Sequence, residues 1–414
     1  MKLFNNVMVA ILWGVTVVLV AACSSTAPAA ETTAAEPTEA PAARAAETVD
    51  LEALKTEAIE TYANIVFATY EDAYNLAVDL QDKINAFVAD PTAETMQAAK
   101  DAWLAAREPY GQTEAFRFYG GPIDDEDGPE GLINAWPLDE VYIDYVDGEA
   151  NSGIINDVET YPTIDKALLI SLNEVGAEEN ISTGFHAIEF LLWGQDFSRD
   201  GAGNRPYTDY VAGGAAPNPD RRALYLQTAA GLLVEDLAEL KRAWDPAIEG
   251  NYRADFLSQP PNDALQKIFT GIGVLSKSEL AGERIFTAYD NQDQEDEHSC
   301  FSDNTHRDII TNAQGIYNVY VGKYTRVDGS TVSGASLADV IAAVNPELNE
   351  ELLTLLNTML QQVNSIHIPF DQAIVLADER PQILELVTVL QDSGDKIAEA
   401  STDLGLMINT ALPE

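Results

Sequence analysis

Sulfur is scarce in this chain: its 414 residues include 2 cysteines and 5 methionines. A soft copper(I) site built on thiolates or thioethers is therefore excluded. If Cys23 carries lipid, Cys300 is left alone, so no disulfide framework can staple the fold and stability must come from packing. Basic residues are few as well. Against 68 Asp and Glu stand 23 Lys and Arg, a formal charge of −45. Nucleic acid and anionic lipid headgroups would be repelled by such a surface, whereas cations would be drawn to it. The same composition also suits a solvated surface in a salty medium, so charge alone names no ligand. Period-two strand patterns are nearly absent, apart from a possible hairpin near 323–332. An HExxH peptidase motif is also missing.

The apolar run 7–22 follows a cationic start at Lys2 and is too short for a preferred transmembrane helix. It reads as a signal peptide (1–22). Its end, Val20-Ala21-Ala22-Cys23, resembles a bacterial lipobox, in which Cys23 is lipidated and becomes the new N-terminus. Residues 24–48 are almost wholly Ala, Thr, Pro, Glu and Ser, a composition that builds no core and serves as a solvated tether. The expected product is an exported body, lipid-anchored to a bacterial membrane and facing the periplasm or the exterior.

Apolar residues recur three or four apart from Ile59 to Phe87, which predicts one long amphipathic helix over 49–88. Asp90-Pro91 offers a start for a second helix, and Pro109 is expected to kink or end it. Between 120 and 153 the density of Gly, Pro and Asp predicts a long loop with short helices. Its aromatic portion, containing Trp136, Tyr142 and Tyr145, is expected to pack over a site. The stretch 196–220 lacks periodicity and reads as a crossover between halves. Further helices are expected over 224–244, 263–289, 308–321, 337–344, 348–370 and 383–408. The direct inference is an all-α protein of two four-helix-bundle-like halves, 49–200 and 201–414.

Within the first half, Gly184-Phe185-His186-Ala187-Ile188-Glu189 is a GxHxxE hexapeptide, followed by Phe190-Leu191-Leu192-Trp193-Gly194. On a helix, residues three apart share a face, so His186 and Glu189 would point together as half of a metal site. The segment 182–194 resembles the signature of the imelysin family, whose members include iron-regulated surface proteins and an insulin-cleaving membrane protease. Three other stretches resemble the iron-regulated branch: Trp103–Tyr110 running on to Glu114–Phe118, Ile133–Glu140, and Glu295–His306. The resemblance spans roughly 50–410. It implies an all-helical fold with the GxHxxE helix near the junction of the halves.

More ligands are needed beside His186 and Glu189. Glu114 is the first candidate, at helical spacing from Arg107 and Tyr110 in a family-like segment; alternatively it forms a buried ion pair with Arg107 or Arg117. Asp139 and Glu283 follow, although Glu283 can equally bridge to Arg284 or Lys277. The segment 295–306 holds Glu295, Asp296, Glu297, His298, Asp303 and His306, enough for a second site unless Ser302-Asp303-Asn304 merely caps the next helix. Cys300 reads as a buried inert thiol, and His367 as a packing residue. Carboxylates with imidazole suit iron, manganese, zinc or calcium, and the resemblance favours iron. The leading expectation is a non-enzymatic lipoprotein that binds a divalent metal or iron ion and assists an iron-uptake membrane complex. The alternatives are a metal-dependent peptidase of the imelysin type, or a cleft that binds peptide, glycan or haem.

Overall fold

Asp50 opens the first long helix, Leu51–Ala89, its carboxylate accepting from the backbone N–H of Ala53 at 3.2 Å. The apolar ladder that forecast this helix, from Ile59 through Tyr62, Val66, Tyr70 and Ala77 to Phe87, is buried along one face. The computed structural model describes residues 50–413, and these form one compact unit. The signal peptide, Cys23 and the tether lie outside the described residues.

The second helix, Ala93–Thr113, departs from expectation at both ends. Thr92, rather than Asp90, is its cap: Thr92 and Thr95 exchange hydrogen bonds of 3.1 and 3.2 Å in a capping box. Pro109 lies inside the helix and does not end it. The helix continues because its last turn is clamped from outside. Gly111 lies so close to Thr311 that an added Cβ would stand 2.0 Å from the Thr311 hydroxyl, a contact only glycine permits. Such packing outweighs the ~3 kcal/mol by which an interior proline disfavours a helix.

The helices fall into two packing groups. Leu51–Ala89 lies against Ala93–Thr113 and Pro219–Trp244, and the short helix Gly184–Trp193 nests on the latter two. In the second group, Arg380–Asp403 packs on Pro346–Val363 and on the long run that begins at Pro261. Thr305–Val321 joins the groups by packing on Ala93–Thr113. Pro219–Trp244 thus belongs with the first group, so a boundary at residue 200 does not separate the packing units. The crossover 196–220 holds only a turn of 3-10 helix, Tyr207–Tyr210. It is ordered by charge. Arg205 and Arg222 both reach the buried Asp144, at 2.8 and 2.6 Å, tying the crossover and the next helix to the aromatic loop.

That loop contains the short helices Glu130–Ile133 and Glu140–Ile143, as its composition suggested. The expected hairpin is present: Lys323–Thr325 pairs antiparallel with Thr331–Ser333. From Pro261 the chain is α-helical to Val274, widens into a π-helix over Leu275–Phe286, and closes with an α-turn, Thr287–Asn291. Twelve residues of π-helix is long for a form that usually occupies single turns and concentrates at functional sites. Here the wide turns carry Arg284 inward. Among the described residues, no helix is long and apolar enough to cross a membrane.

Candidate metal centre

The glycine of GxHxxE has a structural cause. Gly184 starts its helix at φ +80°, and a Cβ there would stand 2.4 Å from the carbonyl oxygen of Ile133. Only glycine lets the helix begin this close to the aromatic loop. The Trp103 indole N–H donates to the Phe185 carbonyl at 2.9 Å and fixes the first turn. His186 and Glu189 then fall on one face, as the spacing required. His186 Nδ1 and Glu189 Oε2 are 2.9 Å apart, and both residues are buried. The other carboxyl oxygen, Oε1, accepts from the backbone N–H and hydroxyl of Ser302, at 2.9 and 2.6 Å.

His298 comes from the turn that precedes Thr305–Val321 and meets His186 edge to face, ring centroids 4.7 Å apart at 75°. Its Nδ1 lies 2.9 Å from Asp308 Oδ2. Each imidazole therefore has its Nδ1 engaged by a carboxyl group, the arrangement that orients metal-binding histidines elsewhere. The opposite nitrogens are lightly held: His186 Nε2 is buried without a hydrogen-bond partner, and His298 Nε2 has only the Asn134 amide at 3.5 Å.

Electrostatics in this seam are dominated by burial. Burial, reinforced by the Arg107 charge, lowers His186 to about 3, and burial with Arg284 lowers His298 to about 3. Burial raises Glu189 to about 8 despite the Ser302 hydrogen bonds. At neutral pH the first dyad is thus an uncharged acid facing an uncharged ring. The carboxyl O–H donates to Nδ1, which puts hydrogen on the unpartnered Nε2, a buried unsatisfied donor that costs about 1–3 kcal/mol. Asp308 behaves oppositely. Burial opposes its charge, but Arg107, His298 and Ser299 hold it well below the usual carboxylate range. The Arg107 guanidinium reaches its Oδ1 at 3.0 Å and lies over the Trp103, Tyr110 and Phe185 rings.

Glu114 is a buried ion pair, with Arg117 at 2.7 Å and Arg284 at 2.9 Å, not with Arg107. Burial works against the charged form, but these two cations outweigh it and bring Glu114 to about 2. Its other oxygen accepts from the Asn134 amide at 3.2 Å, so Glu114 borders the imidazoles without a free oxygen. The hydroxyl of Tyr110 is buried and unpartnered beneath Arg107. Asp139 is elsewhere, capping Glu140–Ile143 through the Val141 N–H at 3.0 Å. Glu283 is exposed, on the rim of a cleft of about 360 Å³. That cleft reaches His298, Asn134 and Trp136, and its walls carry Glu130, Glu174, Glu178 and Glu279 beside Arg117 and Arg284. Trp136 meets His298 edge to face at 5.8 Å, whereas Tyr142 and Tyr145 of the same loop turn to the Leu172 carbonyl and to Asp209.

Ser302, Asp303 and Asn304 do not cap the following helix with a side chain. Ser302 is diverted to Glu189, and Asp303 adopts a left-handed φ of +56°. Glu295 is exposed. Asp308, Asn134, Ser302 and Arg284 are the members of the centre that spacing did not single out. Asp308 and Asn134 do lie within or beside the family-like stretches, which is the one signal that pointed near them. Among the described residues, no three His, Cys, Asp or Glu side chains are arranged to hold a metal ion together.

A helical body with paired carboxyl–imidazole dyads at its seam defines the class, and comparison with known proteins gives the family. The imelysin family profile matches residues 66–397, and the chain belongs to that family. Iron-regulated protein A of Synechococcus elongatus is 26% identical over 344 residues, covering 80% of this chain and 82% of the relative. Two crystal structures share the fold. An iron-regulated protein A precursor from Parabacteroides distasonis superposes with a TM-score of 0.64 at 18% identity, covering 85% of this chain and 95% of its own. An imelysin-like protein from Psychrobacter arcticum gives 0.62 at 13% identity, with 87% and 98% covered.

Proposed function

We propose that this protein binds iron, or a divalent ion of similar chemistry, at His186 and His298, and serves iron acquisition from a lipid anchor at Cys23. The observation that carries the reading is the pair of buried, uncharged imidazoles, each with Nδ1 engaged by a carboxyl group and Nε2 left over. A neutral imidazole held in one orientation by a carboxylate is the form a metal takes as ligand. His186 Nε2 is the orphaned atom an ion would satisfy. Glu189 and Asp308 would orient the rings rather than ligate, because their oxygens are already taken by Nδ1, Ser302, Ser299 and Arg107. Water or a chelating cargo would complete the coordination shell, since two nitrogens alone do not.

The cleft supports the same reading. Five glutamates against two arginines give it a surplus of negative charge that draws cations toward His298. The name of the Synechococcus relative, iron-regulated protein A, accords with an iron-related role. An uptake complex in the membrane is the partner such a role implies.

Binding an ion at His186 Nε2 requires loss of the proton there, so affinity should rise with pH and binding should release a proton. Measured by calorimetry with iron(II) under exclusion of oxygen, His186→Ala and His298→Ala should each weaken binding by at least about tenfold, or 1.4 kcal/mol. Wild-type stoichiometry and affinity retained in both variants would sink the proposal.

A further inference from the structure

Burial obliges an arginine to place its hydrogens, because a desolvated N–H without an acceptor is destabilising. Arg107, Arg222 and Arg284 comply: in each, Nε, Nη1 and Nη2 all reach acceptors. Arg205, at 6% exposure, does not. Its Nη1 pairs with Asp144 at 2.8 Å and lies 3.5 Å from Asp209, but its Nε is buried without a hydrogen-bond partner among the described residues.

Arg205 and Gly194 line a surface pocket of about 430 Å³ that shares no residue with the acidic cleft. Gly194 makes the opening. It ends the GxHxxE helix at φ +71°, and a Cβ there would stand 3.2 Å from Arg205 Cβ and 3.5 Å from Nε. Glycine therefore leaves bare the space over the orphaned nitrogen. Two hydrogen bonds hold the loops around it in place. The Arg205 N–H donates to the Trp193 carbonyl at 2.7 Å, and the Asp147 N–H donates to the Gln195 side-chain oxygen at 2.8 Å. Tyr145, Trp193 and Phe197 bring aromatic rings to the walls, and Phe197 is 73% exposed.

Charge restricts what such a pocket can take. The guanidinium is already balanced by Asp144 and Asp209, and an anion would also meet the exposed Asp147 and a molecule of formal charge −45. A cation would face Arg205 and the Lys100 ammonium, which lies 5.1 Å from the Trp193 ring. The fitting ligand is neutral, with an oxygen basic enough to satisfy a buried N–H and an apolar face for the rings.

We propose that this pocket binds a neutral N-acetylated sugar, an N-acetylhexosamine unit of a glycan, whose acetamido carbonyl accepts from Arg205 Nε. An amide carbonyl is the strong neutral acceptor the site requires, and the acetyl methyl and the sugar's C–H face suit the aromatic walls. At the rim, Asp147 and Asn204 are exposed and offer a carboxylate and an amide, acceptors and donors for hydroxyls that do both. A peptide carbonyl could meet the same nitrogen, but peptides are commonly held along a sheet edge or a helical groove. Beyond Trp193, every wall of this pocket is loop. The site does not depend on the iron reading, because it uses neither imidazole.

Calorimetric titration of the purified mature protein with tri-N-acetylchitotriose tests the proposal, with cellotriose as the same backbone bearing hydroxyls in place of acetamides. Saturable binding is expected, at least about tenfold (1.4 kcal/mol) tighter than for cellotriose, since a sugar without the acetamide leaves Nε unpaired. Saturation-transfer NMR should place the acetyl methyls closest to the protein. Phe197→Ala removes an exposed ring, so it should fold, checked by far-ultraviolet circular dichroism, and weaken binding by at least about tenfold. Arg205→Lys keeps a cation for Asp144 but should lose the preference over cellotriose. His186→Ala should bind the sugar as wild type does, which separates failure here from failure of the iron site. No binding of tri-N-acetylchitotriose to wild type overturns the proposal. So does equal affinity for cellotriose or for N-acetyl-trialanine amide, and so does undiminished binding by folded Phe197→Ala.

Discussion

Two clusters of buried charge lie a few residues apart on the segment 297–308 and solve the same physical problem in opposite ways. Around Asp308 and Glu114, each carboxylate meets a guanidinium within 3.0 Å, and both stay ionised. Around Asp303 and Asp371, no guanidinium arrives, and the acids rise toward neutrality by holding protons. The first cluster needs nothing more to be stable. The second is compensated only by protons. Glu189 lies between the two, hydrogen-bonded like the first and uncharged like the second.

The largest effect should come from breaking the compensated cluster. Arg107→Met strips Asp308 of its partner and leaves a buried charge, which should lower unfolding free energy in urea by about 3–5 kcal/mol. A loss below about 1 kcal/mol would mean that His298 and Ser299 suffice for Asp308. Next in size is Glu189→Gln. Folded Glu189 titrates at about 8, above its ordinary 4.5. Between those values the unfolded chain releases a proton that the folded chain keeps, so stability is full below pH 4.5 and declines as pH rises toward 8. Glutamine removes that decline and should stabilise the metal-free protein at about pH 8 by on the order of 2 kcal/mol. Because Ser302 donates to Oε1, the glutamine amide must face His186 Nδ1 as a donor and hold hydrogen on Nε2. Metal affinity should therefore fall while stability rises. A variant that gains both would show that Glu189 does not set the ring's tautomer.

Asp371→Asn sharpens the comparison from the other side. Its folded value of about 6 against 3.8 means that stability is complete below pH 3.8 and lost as pH rises through 6. Asparagine should therefore stabilise the protein by about 1–2 kcal/mol at about pH 8. Thermal melts of both proteins at acidic and at alkaline pH measure the difference. The smallest effect belongs to Glu283→Gln. This side chain is exposed on the cleft rim, so stability should change by less than about 0.5 kcal/mol and iron affinity only slightly, with the change abolished by salt.

Residues close in sequence were read correctly where a helix alone decides their geometry. His186 and Glu189 lie on one face because three residues nearly complete a turn, and nothing distant was needed to place them. The long helix Leu51–Ala89 and the short hairpin were legible for the same reason, periodicity and turn chemistry being local. Pro109 shows the limit: its local preference to end a helix lost to the clamp between Gly111 and Thr311, residues 200 positions apart. Glu114 was weighed as a metal ligand and as an ion pair, and the choice rested on Arg284, which the sequence places 170 residues away. The capping role expected of Ser302 failed because Glu189, 113 residues earlier, offered its hydroxyl and N–H a buried acceptor instead.

The sequence by itself determined the helices, the acidic surface, the family and the face shared by His186 and Glu189, because each depends on composition or on spacing within a turn or two. Only the tertiary structure decided which charges are compensated. It brought His298 to His186 and Arg107 to Asp308, and left Asp371 buried without an ion-pair partner among the described residues. A buried charge takes its protonation state from whatever long-range packing sets within a few ångströms of it.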